Sequence, residues 1–287
     1  MAEHSLQIAV FGVSGRMGRA LLTAIDEVPG AVLGGATASA NSRWLGKDAS
    51  EAGGGARRNV PVESDPAAAL RNAQVAIDFT LPEATAGNLA ACVAAKRPLV
   101  IGTTGHSEAV RAQIATAAQS IPIVMAPNMS LGVNLLLKLV ELAAAKLDAD
   151  YDIEVFEAHH RNKKDAPSGT ALALGAAAAD GRDVKLADVA EYSRHGMPGA
   201  RERGSIGFSV FRGGDVVGDH TVTFAGIGER IELTHRASDR LAFARGAVRA
   251  ALWLAVVPRD SPGPAPSIAQ PFGRQPGLYS MQDVLGL

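Results

Sequence analysis

Cys92 is the sole cysteine in 287 residues, so no intrachain disulfide can hold this fold. It sits in an Ala-rich helical pattern and is expected to pack as a small apolar side chain. Charge of one sign is also missing: 28 Lys and Arg stand against 29 Asp and Glu, a formal net charge of -1. No face or tail is strongly basic, which excludes nucleic acid as an expected partner. The apolar runs are too short or too interrupted to span a bilayer, so no membrane partner is expected either. The opening segment MAEHSLQIAVFG carries Glu3 and runs straight into a strand-like stretch, unlike a signal peptide. A cytoplasmic protein is the economical expectation. No internal repeat is visible. What is abundant is apolar surface, 47% of residues, enough for one large domain or two ordinary ones.

The first 130 residues alternate short apolar runs with amphipathic ones. The pattern predicts strands at Leu6–Phe11, Val32–Thr37, Val75–Phe79, Pro98–Ile101 and Ile121–Met125, with helices at Arg16–Glu27, Pro82–Ala95 and Ser107–Ser120. Continuous Val/Ile runs separated by helices imply a doubly wound α/β domain around a parallel sheet. Trp44–Asn59 is Gly-rich and polar and reads as loop. A helix is expected at Leu131–Leu147, where leucines recur three and four apart. Strands at Asp152–Glu157, Ser205–Arg212, His220–Ala225 and Arg230–His235 then predict an α+β region with a mixed or antiparallel sheet. A helix at Arg240–Val257 follows, then a proline-rich stretch from Pro258 to Gly277 that cannot be regular helix or central strand. The division expected is 1–129 with 241–287 as a dinucleotide-binding domain, and 130–240 as a substrate-binding and oligomerisation domain.

Residues 11–18, FGVSGRMG, leave the first strand and open the first helix. Glycines at 12, 15 and 18 permit a tight turn and a close approach of pyrophosphate to the helix start, with Arg16 adding charge. A glycine triplet alone is a weak signal; the strand-then-helix context makes it a dinucleotide site. The acid usual some way further on is missing. Residues 36–43 read ATASANSR, with no carboxylate to hold both ribose hydroxyls. Ser39, Asn41, Ser42 and Arg43 suit a 2′-phosphate instead, which favours NADPH; the bland alternative is a solvated loop and an enzyme that accepts NADH as well. Gly102, Thr103, Thr104 and Gly105, and Ala126, Pro127, Asn128 and Met129, end strands on the same sheet edge, as does the Asp78 to Thr80 segment. Ligands of such sheets bind at the carboxyl ends of strands, although each segment taken singly is as readily a turn.

Residues 157–171, EAHHRNKKDAPSGTA, carry the densest chemistry. His159 and His160 are followed closely by Arg161, Lys163 and Lys164, then by Asp165 and Pro167. Ser168, Gly169 and Thr170 lead into an Ala/Leu helix, whose first N–H groups suit a small anion beside the cations. Histidine fits proton transfer because its ordinary pKa lies near working pH. Spacing cannot rank His159 over His160; if Asp152 to His160 is one strand, the two point to opposite faces. Arg161 and Lys164 are expected in solvent, and His220 and His235 in packing or an interface. His159, His160 and Asp165 lack the ligand spacing of a metal site, so none is expected.

The motifs VFGVSGRMGRAL, DFTLPEAT, VIGTTG, EAHHRNKKDAPSGTAL and, later, GSIGFSVFRGGDVVGDHTVTFAGIGERIELTHRA and FARGAVRAALWL resemble those of the dihydrodipicolinate reductase family, from Leu6 to about Leu254. The resemblance implies a Rossmann-like cofactor domain and a second domain joined by two hinges, assembled as a homotetramer through the second domain's sheet. It also implies reduction of a cyclic dicarboxylate, 4-hydroxy-tetrahydrodipicolinate through dihydrodipicolinate, by NADH or NADPH, on the route to diaminopimelate and lysine. By position it assigns pyrophosphate contact to Gly12, Val13, Ser14, Gly15, Arg16 and Met17. It assigns the nicotinamide side to Gly102–Thr104 and Ala126–Met129. His159 becomes the acid/base residue with Lys163 its partner in proton donation, and His160, Gly169 and Thr170 bind substrate, with Ser168 beside them. The chain departs from the family at Ala38, where an acid is frequent, and in its long proline-rich stretch. Against this stand an oxidoreductase of the same build acting on another small acid or a semialdehyde, and a silent NAD(P)-binding sensor; the intact His159 and Lys163 disfavour the latter.

Overall fold

A computed structural model describes residues 5–255 and 273–287. The proline-rich stretch expected to lack regular structure falls, from 258 to 272, outside the described residues. The chain divides into two units, residues 1–130 with 241–286, and residues 131–240.

The first unit runs β1 (Leu6–Phe11), α1 (Arg16–Glu27), β2 (Ala31–Thr37), α2 (Ala49–Gly53), β3 (Val62–Glu63), α3 (Pro66–Ala69), β4 (Val75–Asp78), α4 (Pro82–Ala95), β5 (Leu99–Ile101), α5 (Glu108–Ala117) and β6 (Pro122–Met125). The second comprises α6 (Leu131–Lys146), β7 (Asp152–His159), α7 (Gly169–Gly181), α8 (Leu186–Val189), β8 (Ala190–Glu191), β9 (Ile206–Arg212), β10 (Gly218–Ala225) and β11 (Arg230–Ala237). The chain then returns to the first unit with α9 (Leu241–Ala255), β12 (Gly277–Tyr279) and α10 (Met281–Leu285).

The first unit is a seven-stranded parallel sheet in the order β12-β6-β5-β4-β1-β2-β3. Strands β1, β4 and β5 are buried on both faces, which is why their Val, Ile and Ala residues run without alternation. The order reverses between β1 and β4, so the segments after Phe11 and Asp78 flank the crevice where such sheets bind ligands. The expected loop at Trp44–Asn59 is only partly loop. Asp48 caps α2 by accepting from the Ser50 amide at 2.9 Å, and also accepts from the Arg58 and Val60 amides at 3.2 Å. One half-buried carboxylate thus organises a segment too short to show a hydrophobic period.

The second unit packs α6 and α7 on one face of a mixed sheet, β11-β10-β7-β9-β8. Strand β10 alternates cleanly: Val222 and Phe224 are fully buried, and Thr221 and Thr223 face the other way. They join Val155, Phe208, Leu174 and Val140 in one core, each such side chain contributing about 1.5–3 kcal/mol. Among the described residues no helix is long and apolar enough to cross a membrane.

Two glycines, one in the turn after β1 and one in the first turn of α1, are fixed by geometry. Gly12 has φ +80°, which L side chains resist. Gly18 lies where a Cβ would come 2.3 Å from the Gly12 carbonyl oxygen and 2.6 Å from the Val13 Cα, both backbone atoms that cannot swing aside. Gly18→Ala is therefore expected to destabilise the protein by about 1–3 kcal/mol and to weaken dinucleotide binding. Urea unfolding and a fluorescence titration with NADPH check this; wild-type values for both would refute it.

Candidate active site

The turn after β1 builds a cradle from backbone. The Gly12 and Val13 amides donate to the Thr37 carbonyl at 3.0 and 2.8 Å, and the Gly15 amide to the Gly12 carbonyl at 3.0 Å. Gly12 and Val13, both expected to contact a pyrophosphate, have their N–H groups engaged within the turn. Ser14 and the first-turn residues Arg16 and Met17 stand at the N-terminus of α1, where amides lack intrahelical acceptors. Gly15 and Arg16 are exposed. A tight turn, a close-packed Gly18 and a 12-residue helix aimed at the crevice fit a pyrophosphate.

At the end of β2, Ala38 is buried and donates its amide to the Glu63 carbonyl at 2.9 Å, while Ser39 is exposed. The turn closes with the Ser42 amide on the Ser39 carbonyl, 2.8 Å. Beyond it the Arg43 guanidinium stands 4.5 Å and the Lys47 ammonium 5.3 Å from the Trp44 ring centre. Among the described residues neither cation makes an ion pair.

The other strand ends rest on Asp78, which is fully buried. It accepts from the Thr80 amide and hydroxyl at 2.8 and 2.6 Å, from Asn88 Nδ2 at 3.0 Å and from the Thr103 hydroxyl at 3.2 Å. Thr103 and Met129, both expected beside the nicotinamide, are buried. The Thr103 hydroxyl is directed to Asp78 and supports the strand ends. Thr104 and Pro127 are exposed, Gly102 is partly so, and Ala126 is buried. Asn128 Oδ1 accepts from the Ser130 amide at 2.9 Å and shapes the turn after β6.

In the second unit, strand parity puts Glu157 and His159 on one face of β7, with His220 of β10 directly opposite Glu157. Glu157 is fully buried and saturated. Its Oε2 accepts from Arg212 Nη1 at 2.7 Å and sits 2.6 Å from His159 Nδ1; its Oε1 accepts from Arg212 Nη2 at 2.7 Å and from the Ser168 amide at 2.9 Å. Arg212 Nη2 also donates to the Asp165 carbonyl at 2.7 Å. Burial alone would raise the Glu157 carboxyl, but the Arg212, His159 and Ser168 hydrogen bonds outweigh it and hold it below the ordinary carboxylate value.

His159 ends the strand and is nearly buried. Burial lowers its pKa below the ordinary imidazole value; Glu157 opposes this, and Lys163 and Arg212 add to it. The strand stops there, so His160 is not its opposite-face neighbour on the ladder. The His160 amide donates to the Val216 carbonyl at 2.7 Å, and its Nδ1 is buried with no partner among the described residues. Lys163 donates its amide back to the His160 carbonyl at 3.1 Å and pairs its ammonium with Asp165 at 2.9 Å. Asp165 thus faces a lysine, not the imidazoles. Arg161 and Lys164 are exposed.

Ser168, expected to bind substrate, is buried just before the first residue of α7. Its hydroxyl caps α7 by accepting from the Ala171 amide at 3.1 Å and lies 3.2 Å from His220 Nε2, while its own amide serves Glu157. Gly169 is exposed at the helix start, with nothing within 4 Å of where a Cβ would stand. Thr170 is half-buried beside it. His220, expected in packing or an interface, packs edge-on against His159 at 5.2 Å between ring centres. Burial first, then the neighbouring His159, pushes the His220 imidazole down from 6.5 to about 4. The residues absent from the expected set are Glu157, Arg212 and His220; the alternation of Glu157 and His159 along one strand was the available sign of the first.

A histidine kept neutral by folding binds fewer protons folded than unfolded. Its contribution is complete above the unfolded value and is lost as pH falls from 6.5 towards 4. At His220 this amounts to roughly 3 kcal/mol. His220→Gln is expected to lose that much less stability than wild type between neutral pH and the acid end of this window, read from urea midpoints. An equal loss in both proteins would contradict a neutral His220.

Comparison with known proteins agrees along the whole chain. The family model described as dihydrodipicolinate reductase, N-terminus, matches residues 6–129, and the one described as dihydrodipicolinate reductase, C-terminus, matches residues 132–285. The 4-hydroxy-tetrahydrodipicolinate reductase of Thiobacillus denitrificans is 53% identical over 285 residues, 99% of each chain. That of Alkalilimnicola ehrlichii is 54% identical over 283 residues, 98% of this chain and 99% of its own. A dipicolinate-bound dihydrodipicolinate reductase from Paenisporosarcina sp. TG-14 shares the fold, with a TM-score of 0.70 at 24% identity over 87% of this chain and 94% of its own. Both halves matched by one family, and full-length relatives at half identity, place the conclusion beyond the fold: the chain belongs to the dihydrodipicolinate reductase family.

Proposed function

We propose that this protein reduces 4-hydroxy-tetrahydrodipicolinate, by way of dihydrodipicolinate, to tetrahydrodipicolinate in diaminopimelate and lysine biosynthesis. The observation that carries the reading, in a chain of this family, is the convergence in the second unit of His159, Lys163 and the open start of α7. The substrate is a ring bearing two carboxylates. The Gly169 and Thr170 amides, at the positive end of α7, suit one carboxylate. Lys163 and His160, whose Nδ1 is buried with no partner among the described residues, suit the other.

The α1 start at Ser14 to Met17 and the accessible strand ends at Gly102, Thr104, Pro127 and Asn128 would hold the dinucleotide, which would supply the hydride. Addition at the carbon far from the ring nitrogen of the conjugated C=C–C=N system leaves an enamine that must gain a proton. His159 donates that proton, with Lys163 as its partner. An imidazole already lowered by burial binds a proton poorly in the empty site; two substrate carboxylates nearby reverse that balance. The preferred dinucleotide is NADPH, because Ser39 and Arg43 are exposed and no acid side chain follows β2. The reading includes a homotetramer built through the outer face of the mixed sheet, where Phe156 and Phe211 are left 43% and 48% exposed. It also includes a cytoplasmic location, compatible with one buried, unpaired cysteine.

A coupled assay with purified protein and freshly generated substrate tests the reaction: NADPH oxidation is expected, and its absence would refute the assignment. His159→Ala and Lys163→Ala should each lower kcat by about 100-fold or more while NADPH affinity stays unchanged. A variant that keeps wild-type turnover removes that residue from the mechanism. The specificity constant should be higher for NADPH than for NADH, and Ser39→Asp should reduce it for NADPH far more than for NADH. A strong NADH preference of the wild type would overturn the cofactor assignment.

A further inference from the structure

Glu157 takes no part in the chemistry above, yet it joins three segments of the site. Its two oxygens receive four donors from three segments: His159 on its own strand, Ser168 at the start of α7 and Arg212 on β9. Arg212 then reaches the Asp165 carbonyl, in the loop that carries Lys163. A carboxylate can only accept, so the ring nitrogen 2.6 Å away must carry a hydrogen. That sets Nδ1 as the protonated nitrogen of the neutral ring. The other nitrogen, Nε2, lies beside Gly218, where a Cβ would stand 3.0 Å from it. The ring is thus fixed at one end by charge and clears the neighbouring strand at the other only because that residue is glycine.

We propose that Glu157 is a positioning residue of the reduction: it holds His159 in the Nδ1–H form with Nε2 available to the substrate, supports the positive ring needed for donation, and ties that ring to the α7 start and the Lys163 loop through Arg212. Hydrogen bonds of this kind fix the tautomer and raise the basicity of the second nitrogen. Arg212 matches the carboxylate in a two-pronged contact, so the pair brings no net charge that would repel a dianionic ligand. Orienting the proton donor and the carboxylate-binding amides from one atom group also keeps their spacing constant. The inference rests on the reading of His159 as proton donor.

Two measurements on the full-length enzyme test it. In the wild type, histidine nitrogen chemical shifts should report His159 as the Nδ1–H tautomer when neutral; an Nε2–H tautomer overturns the proposal whatever the turnover. In Glu157→Gln, which keeps the shape but not the charge, kcat should fall about 10- to 100-fold with NADPH affinity and substrate KM little changed. Removing the carboxylate lowers the pKa of the imidazole, so the alkaline limb of the kcat profile should move to lower pH. Glu157→Asp should move that limb back towards the wild-type position. A scaffolding role alone would change KM and unfolding midpoint and leave the limb in place, and that result would contradict the proposal. If Glu157→Gln does not fold, the tautomer of the wild-type protein decides the matter. If wild-type protein turns over no substrate, the proposed reaction fails while the tautomer still judges Glu157.

Discussion

A carboxylate buried as completely as Glu157 loses several kcal/mol of hydration, and only a full set of donors offsets that loss. Arg212 supplies two, His159 one and the Ser168 amide one. Each of these donors belongs to a different part of the second unit: a parallel neighbouring strand, the end of the same strand, and the first residue before a helix. The helix start, the imidazole and the lysine loop are placed because this one charge has to be satisfied. Its partner strand β10 contributes His220 from the opposite side, kept neutral by burial and bonded to the residue that caps α7. The site is polar at its centre and apolar around it, with Val155, Val222 and Phe224 continuing the same sheet face into the core.

The first unit solves its binding problem with backbone. Its fixed points are the Thr37 carbonyl, which holds the turn after β1, and Asp78, which collects Thr80, Asn88 and Thr103 at the end of β4. Asp78 does for the sheet edge what Glu157 does for the substrate region: a buried acceptor draws several segments to one place. The difference is that Asp78 meets only neutral donors, whereas Glu157 meets a guanidinium and an imidazole. Shape suffices to cradle a dinucleotide, but proton transfer to an anion calls for titratable groups whose charge is set by their neighbours.

Legibility in the sequence followed the range of the interactions. Helix α1 and helix α4 lie on the residues their patterns predict, Arg16–Glu27 and Pro82–Ala95, because a glycine turn and a first-turn proline mark their starts. Five of the seven strands of the first sheet were visible as apolar runs for the same local reason, whereas the two- and three-residue edge strands β3 and β12 were too short to show one. The helix at Ala49–Gly53 was not, since five residues carry no period and its organiser, Asp48, acts through Ser50, Arg58 and Val60. In the candidate site, the histidine pair, Lys163 and the SGT helix start stood out as a short segment. Arg212 lies 55 residues from Glu157, and His220 lies 52 from Ser168; nothing local ties either to its partner. The partners of Ser168 are just as invisible locally, because its hydroxyl is shared between a cap and a distant strand.

The central claim is that the cluster around His159 grips a doubly negative ring and takes up charge as it does so. Calorimetry of pyridine-2,6-dicarboxylate binding, with saturating NADPH and in buffers of different ionisation enthalpy, measures that charge directly. The account predicts binding with net proton uptake near neutral pH, because the ligand restores the affinity for a proton that burial takes from His159. Binding heats that do not change with the buffer, or no binding at all, would contradict it.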